Sequence, residues 1–168
     1  MSFNNPTSKF TDLYCKIIKN NRTFIISSSP TDNNINNYIE LLKKDNIDLL
    51  IKATPAELYD TNIYKLNDID YLNLSFTDGM MPNDNIINDI IEIGKKYNSI
   101  CVHCKAGLGR APLLVALIFI FEFNMNPLDS IIEIKNISPK AFNTNQANFL
   151  FNFKKSKYNN KNNKCIIL

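Results

Sequence analysis

Residues 100–112 read Ile-Cys-Val-His-Cys-Lys-Ala-Gly-Leu-Gly-Arg-Ala-Pro, and they constrain this chain more than any other stretch. A short β-branched apolar run leads in, and a proline within an apolar segment, residues 111–121, leads out. That order predicts a strand, a tight loop and a buried helix. Cys104 and Arg110 bracket five residues. Over that span the backbone can wrap an oxyanion with its amides pointing inward. Gly107 and Gly109 are expected to supply the positive φ such a nest demands. The following helix adds its positive N-terminal end, and Pro112 suits its first turn.

These donors favour the thiolate, which is the reactive form of cysteine. Arg110 offers a planar, two-pronged donor that fits a phosphoryl group. The stretch therefore predicts Cys104 as a nucleophile beneath a phosphate-binding loop of Lys105, Ala106, Gly107, Leu108, Gly109 and Arg110. Strand alternation turns His103 away from the cradle, where it is expected to support the loop rather than react. A Walker loop needs Lys-Ser or Lys-Thr where this chain has Ala111-Pro112, and the Gly-x-Gly lacks the third glycine of a dinucleotide fingerprint.

At 168 residues with 45% hydrophobic content, the chain is expected to form one domain with a full core. The N-terminus lacks the apolar centre of a secretory signal, and Ser2 stands where myristoylation requires glycine. Residues 111–121 are too few to cross a bilayer. Four cysteines without a secretory signal predict a reducing cytosol rather than a disulfide framework. The seven lysines after Glu133 outweigh the net charge of +3, so the first 133 residues carry −4. An acidic body with a basic tail points to an anionic surface. No aromatic interleaving or base-reading module points to nucleic acid. Nothing calls for a metal or a cofactor.

Taken in order, residues 1–8 are expected to fray. Strands are predicted at 10–18, 23–27, 48–52, 71–76 and 99–103. Helices are predicted at 31–44, 83–97, 111–123, 126–136 and 143–158, with a loop or broken helix at 53–64. The second helix is expected to be capped by Asn83. Cys15 is expected in the core. The fold expected is α/β, a central, mostly parallel twisted sheet flanked by helices, with the loop at the carboxyl end of a central strand. One domain over 9–158 would carry a basic tail, 159–168.

His-Cys-Lys-Ala-Gly-Leu-Gly-Arg resembles the signature of cysteine-dependent protein tyrosine phosphatases. Most of that superfamily has Ser or Thr after the arginine. Ala111-Pro112 is similar instead to the phosphatases of regenerating liver, the protein tyrosine phosphatase type IVA family. The likeness runs from about Phe24 to the last residue and implies a dual-specificity-phosphatase-like fold, with phosphomonoester hydrolysis through a phosphocysteine. A hydroxyl after Arg110 would ease release of the sulfur, so Ala111 implies slow breakdown of that intermediate.

The proton carrier expected for this chemistry is a mobile carboxylate, and Asp78, after a strand and before Gly79, is the candidate. Its segment resembles the family's Trp-Pro-Phe-Asp-Asp-Gly at Phe76, Asp78 and Gly79, but not at Leu74, Ser75 and Thr77. The family's second, redox-active cysteine has no counterpart in residues 53–57. Cys101, three residues before Cys104, is expected on the opposite face of the strand.

Cys165-Ile166-Ile167-Leu168 reads as a prenylation box, with terminal leucine favouring geranylgeranyl where the family resemblance implies farnesyl. One lipid binds membranes marginally. Lys154, Lys155, Lys157, Lys161 and Lys164 would add roughly 1 kcal/mol each at an anionic leaflet. The location expected is the cytoplasmic face of membranes, beside a soluble pool. The substrate expected is a phosphotyrosine protein, while Lys105 keeps phosphoinositides open. The resemblance also implies docking on membrane magnesium transporters of the CNNM type, and homotrimers. A rhodanese-like sulfur carrier and an arsenate reductase are weaker readings of the same loop.

Overall fold

A computed structural model describes residues 10–56 and 59–159. The expected N-terminal arm 1–8, residue Glu57 and the box at Cys165 lie outside the described residues. Five strands form one sheet: β1 (Tyr14–Lys19), β2 (Arg22–Ser28), β3 (Leu49–Lys52), β4 (Asp70–Asn73) and β5 (Ser99–Cys104). Their order is β1-β2-β5-β3-β4, antiparallel between β1 and β2 and parallel elsewhere. The sheet is thus mostly parallel and flanked by helices, as expected. In register, Ser28 faces Cys104 and Lys52 faces His103, so β2, β3 and β5 end together.

Alternation along β5 divides the interior in two. Ile100, Val102 and Cys104 join one core with α3 (Asp84–Lys96), α4 (Arg110–Glu122), α5 (Pro127–Ile137) and α6 (Thr144–Phe151). Cys101 joins a second with α1 (Ile35–Lys44) and α2 (Asn62–Lys65). Helix α1 sends Ile35, Tyr38, Ile39 and Leu42 inward, at the spacing the sequence predicts. Every residue of α4 from Ala111 to Ile120 is buried, because a stretch apolar on every face can only be core, and Arg110 at its start is buried with them. The Asn83 side chain accepts from the Ile86 N–H at 3.0 Å and so caps α3.

The helix predicted at 31–44 starts at Ile35, because the Asn34 side chain accepts from the Thr31 N–H and turns the chain before it, and three other expected elements differ. The strand predicted at 10–18 starts at Tyr14, because Phe10 packs on Tyr38 with ring centroids 4.9 Å apart. The strand predicted at 71–76 ends at Asn73. The Leu74 N–H donates to the Lys52 carbonyl at the end of β3, and the Asn73 side chain then turns the chain at Ser75. The helix predicted at 143–158 is two, α6 and α7 (Ser156–Asn159). Between them Lys155 turns to the end of α4 and donates to the carbonyls of Ile120 and Phe121 at 3.3 and 3.1 Å. Cys15 is half-buried against the first core.

Candidate active site

Residues 104–110 leave the carboxyl end of β5 and enter α4, so the central strand and the most buried helix fix the loop at both ends. Cys104 lies at its base, 2% exposed. The Lys105 carbonyl accepts from the Ser29 N–H at 3.4 Å and the Leu108 carbonyl from the Phe142 N–H at 2.8 Å. In a trans peptide the N–H opposes the C=O. The amides of Ala106 and Gly109 therefore turn the other way, into the cradle.

The two glycines serve different needs. Gly107 has φ +72°, and a Cβ there would lie 2.6 Å from Leu13 Cδ2 and 2.8 Å from the Ser27 carbonyl carbon. Gly109, expected at positive φ, has φ −120° instead. A Cβ there would come 3.1 Å from Gln146 Oε1, so the glycine provides clearance rather than an unusual backbone.

Arg110 is 3% exposed, and its guanidinium faces the acidic loop. Nη1 donates to the Phe76 carbonyl at 3.1 Å. Nε lies 3.2 Å from Asp78 Oδ1, an ion contact, and has no hydrogen-bond partner among the described residues. Asp78 is 76% exposed at its side chain. Its Oδ1 accepts from the Gly79 N–H at 3.1 Å, and Gly79 turns the loop with φ +74°.

His103 faces the second core, away from the loop. Its Nε2 lies 2.5 Å from the Tyr59 hydroxyl, while Nδ1 has no hydrogen-bond partner among the described residues. Burial, and then the nearby Lys52 charge, push its pKa down to about 3, so the ring is neutral. Lys52 is itself 3% exposed. Cys101, on the same face, lies 3.2 Å from the Tyr38 hydroxyl, and burial pushes its thiol up to about 12. Ala111 is buried in the first turn of α4. Leu108 is half-buried, while Lys105 and Ala106 are exposed.

Sequence reasoning overlooked the turn between α5 and α6. Phe142 and Asn143 line a cleft of about 390 Å³ with Asp78, Gly79, Leu108, Gly109, Lys140 and Gln146. Its trace in the sequence is Asn143-x-x-Gln146, which forms a capping box.

No protein-family model matches the chain. A solved protein tyrosine phosphatase from Leishmania major superposes with a TM-score of 0.74 at 26% identity, covering 84% of this chain and 99% of its own. Kinase-associated phosphatase superposes at 0.69 and 19% identity, covering 83% of this chain and 92% of its own. With the Cys104–Arg110 loop between β5 and α4, this fold is that of a cysteine-dependent protein tyrosine phosphatase. A Dictyostelium discoideum protein tyrosine phosphatase type IVA A is 37% identical over 140 residues, 80% of this chain and 83% of that protein. The Drosophila melanogaster PRL-1 phosphatase is 34% identical over 146 residues, 83% of this chain and 82% of its own. The chain belongs to the protein tyrosine phosphatase type IVA, or PRL, family.

Proposed function

We propose that the protein hydrolyses phosphomonoesters in two steps through Cys104, with a phosphotyrosine protein as substrate. The Cys104 thiolate attacks phosphorus, the bond to the ester oxygen breaks, and Asp78 gives that oxygen its proton. Arg110 and the loop amides hold the three equatorial oxygens. Water then attacks phosphorus, the sulfur–phosphorus bond breaks, and Asp78 takes the proton from the water. The observation that carries this reading is Arg110: a buried side chain at the end of the loop that starts at Cys104, its Nε without a hydrogen-bond partner among the described residues and 3.2 Å from Asp78 Oδ1.

Ala111 gives the departing sulfur no hydroxyl, so the second step is the slow one. Rapid acid quenching after incubation with an aryl phosphate should trap phosphate on the Cys104 peptide. Ala111→Ser should shorten the lifetime of that species and raise steady-state turnover. A folded variant with an unchanged or longer lifetime counts against this assignment.

The same reading places the protein reversibly on the cytoplasmic face of a membrane, through a lipid on Cys165 and the basic tail. It is supported by the C-terminal box and by the exposed lysines Lys154 and Lys157 near the end of the described chain. Cys165→Ser should release the protein from membranes in a cell fractionation.

A further inference from the structure

We propose that Asn143, in the turn between α5 and α6, is a positioning residue that clasps the Asp78 loop against the phosphate cradle. The inference rests on the reading of Asp78 as proton carrier. Three features of the turn carry it.

Phe142 adopts φ +67°, a left-handed conformation that a bulky side chain rarely takes. Such outliers persist where the surrounding structure enforces them. Here the result is a 2.8 Å bond from the Phe142 N–H to the outward-facing Leu108 carbonyl of the loop.

Asn143 is held by the capping box. Its Oδ1 accepts from the Gln146 N–H at 2.8 Å, and its own N–H donates to Gln146 Oε1 at 3.1 Å. With Oδ1 committed to a donor, the flip of the amide is settled. Nδ2 then points at the Gly79 carbonyl, 3.4 Å away.

Gly79 is the residue after Asp78, and its N–H holds Asp78 Oδ1. The acidic loop is therefore pinned on both sides of its carboxylate. Arg110 holds the Phe76 carbonyl and Asn143 holds the Gly79 carbonyl. A phosphoryl group that takes the Arg110 prongs displaces Asp78 from the guanidinium. Asn143 then fixes the Gly79 side of the loop and sets the reach of the carboxylate to the leaving oxygen. The 3.4 Å contact is long, as such bonds often are before substrate binds.

The test separates the clasp from the cap. Asn143→Ser keeps an oxygen for the Gln146 N–H, but its side chain is too short to reach Gly79. Asn143→Asp keeps the cap and faces Gly79 with an acceptor. The burst of phosphoenzyme formation is measured on the full chain with aryl phosphates of graded leaving-group pKa.

Both variants should slow the burst with phenyl phosphate about tenfold, a part of the roughly 10²–10⁴ that general acid catalysis contributes. Both should leave the dinitrophenyl ester unchanged and the Tm near that of the parent. Asp78→Ala should give the same pattern more strongly. If Asp78→Ala gives it and the Asn143 variants match the parent, the clasp is wrong and the Asp78 reading stands. If the Asn143 variants slow every ester equally, Asn143 is only structural and the proposal is overturned. If Asp78→Ala shows no dependence on the leaving group, both fall.

Discussion

His103 is a base kept neutral by its surroundings, and that couples it to stability. Burial and Lys52 hold its folded pKa near 3, below the ordinary value near 6.5. Between those values the unfolded chain binds a proton that the folded one refuses. The stabilisation is therefore full above pH 6.5 and drains away as the pH falls toward 3. One such group is worth at most roughly 1.4 kcal/mol per pH unit. Urea unfolding from pH 6.5 to 4 should thus lose stability more steeply for the parent than for His103→Gln, by up to about 1 kcal/mol per unit. Equal slopes would remove His103 from the account. The structure gives the His103 side chain a hydrogen bond to Tyr59 on the far face, a side that strand alternation made readable without naming the partner.

Among the elements, α3 states its own limits. Asn83 caps its start, Asp84 lies in its first turn, and Lys95 and Lys96 lie in its last, each matched to the helix dipole. Asn83→Ala should lower the unfolding free energy by about 1 kcal/mol, measured by urea at fixed pH. A change within error would mean that the Ile86 N–H finds water as good a partner. Helices α1 and α3 were legible because one face of each is buried and their apolar spacing repeats that fact. The break between α6 and α7 was not. No glycine or proline marks it, and its cause is Lys155 reaching the carbonyls at the end of α4, some 35 residues earlier.

For the whole molecule, the consequence is a sheet with a thiol on each face. Cys104 belongs to the core under α4, and Cys101 to the core under α1. Burial raises the Cys101 thiol to about 12, and it has no exposed surface. Peroxide should therefore oxidise Cys104, leave Cys101 reduced and form no bond between them, as read by mass spectrometry after differential alkylation. A Cys101–Cys104 disulfide in folded protein would contradict the two-faced arrangement. Inactivation is thus expected to proceed without the second cysteine that the family resemblance implies.

The sequence by itself determined the strand–loop–helix unit around Cys104 and Arg110, the wholly buried α4 and the family. These follow from local spacing, where residue type and backbone geometry answer to each other directly. Tertiary structure alone decided that Gly109 gives clearance rather than positive φ, that Arg110 meets Asp78 across 32 residues, and that Phe142 and Asn143 close the cleft. Those contacts join segments far apart in the chain. Their geometry exists only once the sheet has brought the carboxyl ends of its strands together.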